Sequence, residues 1–297
     1  MIDIRINGEL ISQAQLLSAT LRLDLIPVPV TLEFNVIHDA NLEKNLALES
    51  VITVANGTIE LVIIKVQPIK TSTVKNGKRI AGIACVAIFN GLQRLIEPSS
   101  KAIVQSQSSF NAAIRACGAK SSLSNDIPLP EFVCLKGHTP TLRLAEYLQK
   151  EACVMRFNGG SIECVKIDAL FKQEPIAKYD PSGIAWVDNP SIKNNLISSF
   201  ISVDFDGSNI VGEDTKASRP VQQIALTDAR QLKNMSKVLF HVGTMQRAFD
   251  DKLLAGALVT VDNKNYVILT AVHHFSSGAL AGIPVMASKV WLSELSQ

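Results

Sequence analysis

Apolar and polar residues alternate through most of the first hundred positions, the period of a strand with one buried face. In "ATLRLDL" (19–25) the apolar set is Leu21, Leu23 and Leu25, and in "IPVPVTLEFNVI" (26–37) Leu32, Phe34 and Val36 share a face. Pro27 and Pro29 cannot donate ladder hydrogen bonds, so that segment starts at a sheet edge or a bend. "SVITVANGTIELVIIKVQPI" (50–69) predicts a hairpin turned at Asn56-Gly57, and Asn7-Gly8 and Asn76-Gly77 mark two further turns. Short strands at this spacing predict a small antiparallel barrel or sandwich over residues 1–97.

The period changes over residues 98–176. "SSFNAAIRACGAK" (108–120) predicts a helix capped at Ser108 or Ser109 and ended by Gly118. "IPLPEFVCLKGHTP" reads as extended. In "TPTLRLAEYLQKEA" (139–152) Thr139 stands at an N-cap and Pro140 at the first helical position, where a missing N–H costs nothing. Leu142, Ala145, Leu148 and Ala152 are the expected buried face. "CVMRFNGGSIECVKI" (153–167) predicts a hairpin at Asn158-Gly159-Gly160, so this stretch forms a small α/β module. Residues 177–297 return to strands: "NLISSFISVDFDG", "KVLFHVG" and "ALVTVDNKNYVILTAVHHF", the last turned at Asp262–Lys264. A polar stretch near 207–235, holding Pro220 and "LTDARQLKNM", reads as an inserted or exposed segment. The β–α/β–β order suggests a duplicated barrel with a module between its halves.

Composition narrows the function classes. The 297 residues are 47% hydrophobic but 5% aromatic, so the core is aliphatic; charged residues are 19% with a net of +2, which argues against a strongly basic nucleic-acid binder. Cys85, Cys117, Cys134, Cys153 and Cys164 form no CxxC pair and are expected as buried free thiols in a reducing compartment. The start, "MIDIRINGEL", lacks the basic and apolar blocks of a signal peptide. No apolar run approaches the ~20 residues that span a bilayer. A soluble chain without an export tag or membrane insertion is the expectation.

Enzyme constellations are missing from the sequence: it has no GxSxG, GxxxxGK[ST], HExxH or strand-borne GxGxxG. His273 and His274 are adjacent, and a strand would send them to opposite faces, so they cannot chelate one ion together. His241 could approach one of them, but a zinc site needs further ligands. His38 is the remaining histidine besides His138, which precedes a helix start, where an anion could bind but a plain loop residue suffices. Asp204 and Asp206 are expected on one strand face, a spacing open to acid–base work, weak calcium binding or simple solvation. Lys75, Lys78 and Arg79 surround the Asn76-Gly77 turn; without interleaved aromatics they read as a solvated tip more readily than a nucleic-acid grip. No catalytic, metal or cofactor-binding residue is assigned.

The stretch "LLAGALVTVDNKNYVILTAVHHFSSGALAGIPVMASKVW" (253–291) resembles the closing hairpin of phage baseplate hub proteins, the late-control protein D type and the hub portion of VgrG-type spikes. Gly256, Tyr266, His274 and Gly278 stand in the pattern's glycine, aromatic, histidine and turn positions. "HTPTLRLAEYLQKEACVMRFNGGSIECVKI" is similar to the family's helix-plus-hairpin module, and "LIPVPVTLEFNVI" with the following hairpin fits its first barrel. Residues 207–235 match nothing in that pattern.

The resemblance implies a mainly β chain with two tube-like antiparallel β-barrels, residues 1–97 and 177–297, and an α/β module over 98–176. It implies a pseudo-sixfold homotrimer joining the sixfold tail tube to a trimeric central spike, beside baseplate wedge and tape-measure proteins. DNA would pass without specific binding, and the location would be the virion tail baseplate, after synthesis in the host cytoplasm. VgrG-type chains continue into a spike, whereas this sequence runs only a short way beyond His274, so a separate spike protein is expected. Trp291, Leu292 and Leu295 are candidate partner contacts, the alternative being that they complete the last strand's own core. Rival readings are another baseplate or tube-initiator component and, from a different class, a cell-wall hydrolase built on Asp204 and Asp206.

Overall fold

A computed structural model describes residues 2–37, 39–75, 78–187, 198–212, 220–225, 227–278 and 283–296. His38, the Asn76-Gly77 turn and the segment 213–219 lie outside the described residues, as do the side chains of Lys75, Lys78 and Arg79. Alternation sets the first strands: β1 (Arg5–Ile6), β2 (Glu9–Leu10), β3 (Leu16–Asp24), β4 (Val30–Ile37), β5 (Val51–Val54), β6 (Ile59–Lys75) and β7 (Lys78–Phe89). Helix α1 (Ala40–Asn45) lies between β4 and β5. Val30, Leu32, Phe34 and Val36 of β4 are buried, while Glu33 between them is exposed. The expected turns form at Asn7-Gly8 (φ 51° and 84°) and Asn56-Gly57 (φ 56° and 86°), left-handed conformations that these residues tolerate.

The module consists of β8 (Ile103–Ser109), α2 (Phe110–Ala116), β9 (Pro128–Cys134), α3 (Pro140–Lys150), β10 (Cys153–Asn158), β11 (Ser161–Lys166) and α4 (Ile167–Leu170). Ser109 caps α2 by accepting from the Ala112 N–H at 3.2 Å. The buried face of α3 is shifted from the expected one: Leu148, and Ala152 just beyond the helix, are buried as expected, but Leu142 is 67% exposed and Ala145 is exposed, while Pro140, Leu144 and Tyr147 are buried. Tyr147 decides this rotation. Its ring stacks on Phe110 at 5.8 Å and its hydroxyl donates to the Pro128 carbonyl, so the larger aromatic takes the core position.

The remaining elements are β12 (Lys178–Tyr179), β13 (Ile184–Trp186), β14 (Ser199–Val203), β15 (Asn209–Val211), β16 (Val221–Gln223), α5 (Ala229–Met235), β17 (Leu239–Ala248), β18 (Leu258–Val261), β19 (Lys264–Ser276) and β20 (Val285–Leu295). The protein is mainly β, and its principal sheet is a curled half-barrel. Among the described residues its order is β13-β17-β20-β19-β3-β4-β7-β6-β5-β1-β2, with β18 branching from β19 and β12 parallel to β18. Every pairing along the main path is antiparallel. The two ends of the chain meet where β19 pairs with β3, from Thr270↔Asp24 to Ser276↔Ser18.

The strand at Ser199–Val203 does not enter this sheet. It pairs with β15 and β16 in a separate three-stranded sheet, covered by α5 through a small cluster of Phe200, Leu232 and Met235. The polar stretch near 207–235 is thus the larger part of an excursion that opens with β14. Glu151, at the end of α3, ties the excursion down: Arg230 donates to it at 2.6 and 3.0 Å and Gln231 at 3.0 Å. Burial pushes the Glu151 carboxyl up, but those bonds outweigh it and hold its pKa below the ordinary value.

A second polar lock joins the module to the C-terminal strands. Arg156 of β10 pairs with Glu163 and donates to the Gly256 carbonyl at 2.9 Å, which also accepts from Gln173 at 2.5 Å. Gly256 has φ +85°, and a Cβ there would stand 2.7 Å from Cδ of Arg156. The dihedral favours glycine, and a Cβ would also have to displace the Arg156 side chain that bonds the Gly256 carbonyl. Gly256→Ala is expected to cost about 1–3 kcal/mol of stability, read as a lower denaturation midpoint at unchanged slope; an unchanged midpoint would remove this explanation of the glycine.

His273 anchors the loop before β18. It is 2% exposed, its Nδ1 lies 2.8 Å from Ser288 Oγ, and Phe249 meets its ring edge-on at 5.4 Å. Ser288 Oγ in turn accepts from the Asp250 N–H at 2.9 Å. Burial lowers the His273 pKa from 6.5, so the folded chain binds this proton less readily than the unfolded chain does. His273 therefore contributes full stability above about pH 6.5 and loses it as pH falls toward its depressed folded value. Denaturation midpoints measured from pH 7.5 down to about 5 should show this fall, and His273→Gln should flatten it; identical pH profiles for the two proteins would contradict the assignment.

Candidate assembly site

The principal sheet has one apolar and one polar face. Strand register gives a cross-strand row Ala248, Ala287, His274, Thr20, Glu33, Val86 and Lys65, one residue from each of β17, β20, β19, β3, β4, β7 and β6. None of these side chains is buried. A neighbouring row, Gln246, Lys289, Val272, Arg22 and Thr31, is alike as far as β4, beyond which its partners Ile88 and Val62 are buried. On the opposite face Ala271, Leu21, Leu23, Leu32, Phe34 and Ala87 are buried in the core. Period-2 alternation in each strand produces this division, and register aligns it across strands.

Hydrogen bonds hold the polar face in order. Thr20 Oγ1 lies 2.9 Å from His274 Nδ1, and Asn35 Nδ2 donates to Ser18 Oγ at 2.9 Å. At the meeting of β3 and β19, Thr270 Oγ1 donates to Asp24 at 2.6 Å, and Arg22 Nε donates to the same carboxylate at 2.6 Å. With small side chains and mixed charge, this surface suits a wall facing water.

Both outer edges of the sheet are unpaired among the described residues. At the β13 edge, Trp186 is 41% exposed and its ring lies 5.5 Å from that of Tyr266. Val187 donates inward to the Val242 carbonyl at 2.9 Å, so the adjacent Trp186 N–H points outward, where another strand could accept it. The sequence reading missed Trp186; a tryptophan in the short apolar run "GIAW" was the available signal.

The structure separates the residues singled out from sequence. His273 and His274 do take opposite faces. His241 Nε2 lies 3.1 Å from both the Gly243 carbonyl and Thr244 Oγ1, and His138 is exposed beside Arg143. Among the described residues no group of three His, Cys, Asp or Glu side chains is placed to hold a metal. Asp204 and Asp206 sit in the turn after β14, not on a strand, and each accepts a backbone N–H of that turn, from Phe205 and Ser208. The five cysteines are free and buried. Leu292 completes the core at 0% exposure; Trp291, with the Lys289 ammonium 5.1 Å from its ring centroid, and Leu295 are half-buried. Gly278 turns with φ +71°, and Tyr266 packs on Trp186.

No family model and no curated protein sequence matches the chain. Solved structures do. A tail protein from Neisseria meningitidis is similar at 12% identity and TM-score 0.68, over 99% of this chain and 96% of that one. The 43 kDa tail protein of prophage MuSo2 from Shewanella oneidensis is similar at 10% identity and TM-score 0.64, over 98% and 97%. An E. coli component of the type VI secretion system, itself described as similar to bacteriophage T4 tail proteins, is similar at 10% identity and TM-score 0.57, over 97% and 76%. Over nearly its whole length, the chain has the fold of phage tail proteins.

Proposed function

We propose that the chain is a structural component of a contractile phage tail or tail-like particle, and within it the baseplate hub. Three copies would form a pseudo-sixfold ring, each supplying two tube-like units, residues 1–97 and 177–297, with the module over 98–176 beside them. The tail tube would stack on one side and the central spike on the other, near wedge and tape-measure proteins, in the virion. The observation that carries this reading is the row of unburied side chains running from Ala248 on β17 to Lys65 on β6, with the core behind it. A channel wall needs that division, and its mixed charge suits DNA that passes without being held. Open edges at β13 and β2 support repeated heterologous contacts, which close into a ring when related by rotation. Trp291 and Leu295 remain proposed contacts; the burial of Leu292 takes it out of that set.

A wedge or tube-initiator position would use the same surfaces, and the stoichiometry of the assembled ring separates it from a hub. The hydrolase reading has less support, because both of its carboxylates are engaged in their own turn. No catalytic residue, metal or cofactor is proposed.

Sedimentation velocity and electron microscopy of the full chain should give trimeric rings, alone or with tube and spike partners. Trp186→Pro removes an outward donor without breaking a bond between β13 and β17. It should weaken association by about tenfold or more, whereas Trp186→Phe should not. A chain that stays monomeric with both partners present would overturn the hub reading.

A further inference from the structure

The excursion from β14 to α5 gives no strand to the principal sheet, yet it builds a wall. A cleft of about 760 Å³ lies between the β14–β15 turn and α5 on one side and β9 and α3 of the module on the other. The two walls are fixed to each other at the end of α3. Arg230 and Gln231 of α5 donate to the Glu151 carboxylate, and Asn234 Nδ2 donates to the Lys150 carbonyl at 3.1 Å. A groove held in this way is formed before a partner arrives, so binding to it carries a smaller ordering cost.

Apolar surface inside the cleft is open to water. Val133 of β9 and Val203 of β14 line it at 38% and 37% exposure, and Phe205 in the following turn is 96% exposed. That turn is tied by its own bonds: Phe205 N–H to Asp204 Oδ1 at 2.7 Å, Gly207 N–H to Asp204 O at 3.0 Å and Asp204 N–H to Ser208 O at 2.9 Å. A phenylalanine held outward on a fixed turn, beside two partly exposed valines, has the form of a binding anchor.

Charge gives the occupant its sign. Glu131, Glu146, Asp204 and Asp228 line the cleft against Arg143 and Lys150. Arg143 is paired with Glu146 at 2.8 Å, which leaves three carboxylates facing Lys150. Glu131 has no ion pair among the described residues, and Asp228 keeps only a 3.9 Å contact with Arg230, whose guanidinium is bonded to Glu151. An ammonium or guanidinium over the Phe205 ring gains from the ring face and from these carboxylates together. Exposed charge pairs add little depth; they select the partner's sign and speed its arrival, while the apolar contacts hold it.

We propose that this cleft docks a basic, partly apolar segment of another protein, its cation over Phe205 beside Asp204 and its apolar side chains against Val133 and Val203. This docking is separate from the ring contacts, since no edge strand of the principal sheet lines the cleft.

Fluorescence anisotropy of the full chain with a labelled Lys-Val-Arg-Val-Lys peptide tests it. That peptide should bind, and Glu-Val-Glu-Val-Glu and Lys-Gly-Arg-Gly-Lys should each bind about tenfold more weakly or worse. Glu131→Lys should weaken binding about tenfold and Phe205→Ala several-fold, with self-association by sedimentation velocity unaltered in both. Circular dichroism melts identify a variant that fails to fold; Phe205→Ala lies in an exposed turn, and Glu131→Gln carries the charge test if Glu131→Lys unfolds. No binding of the basic peptide at millimolar concentration overturns the docking, as does binding that ignores both variants or equal binding of the acidic peptide. Spermidine displacing a Lys-Gly-Arg-Gly-Lys peptide that binds as tightly as its valine parent reduces the cleft to a small-cation site and overturns it too. Loss of self-association in both variants assigns the cleft to a second copy and overturns the separate partner.

Discussion

Everything in this fold hangs on the pairing of β19 with β3. It joins the two ends of the chain, and through it the strands of residues 5–89 and those of 178–186 and 239–295 become one sheet over one core. Asp24 marks the join chemically. It is nearly buried and satisfied by Thr270 from β19 and Arg22 from its own strand. An unsatisfied carboxylate there would be costly, so the pair helps fix the register as well as the proximity. A shift of one residue would send His274 into the core and His273 into water.

That contact is the least legible feature in the sequence, for a physical reason. Loop closure grows only slowly with length, so a pairing some 250 residues apart is affordable but leaves no local mark. Local features were readable. Asn7-Gly8, Asn56-Gly57 and Asn158-Gly159-Gly160 announce their turns because the dihedrals they adopt are set within two or three residues. Ser109 and Pro140 likewise announce helix starts. Leu148 and Ala152 are buried as periodicity suggests, but Leu142 and Ala145 satisfy it as well as Leu144 and Tyr147 do; only the position of Phe110 decides between them. β14 looked like any other strand, and its separate sheet follows from partners on β15 and β16 that alternation does not name.

The histidine pair shows how residue type can mislead while residue position informs. Adjacent histidines suggest chelation, yet strand geometry gives them unrelated work. His273 is a buried polar anchor under the loop at Asp250, and His274 is a hydrogen-bonding member of the water-facing row. The same alternation that divides them divides every strand of the principal sheet. The surface they border is therefore a consequence of period and register, with no single residue carrying it.

The excursion is attached differently from the strands. The sheet and the module share one apolar core, to which the module adds Phe110, Met155 and Phe157, while the excursion keeps its own small cluster; Arg156 to Gly256 and Arg230 to Glu151 add directional, charge-assisted bonds between units. Partly buried ion pairs add little net stability after desolvation, but breaking one partner leaves a charge uncompensated. Such bonds set orientation more than they set affinity. A continuous sheet with peripheral units held at fixed angles is what repeated contacts between copies require, since an error in orientation accumulates around a ring. Glycine at position 256 fits this: its carbonyl receives both Arg156 and Gln173, and a side chain there would crowd the Arg156 side chain that makes one of those bonds.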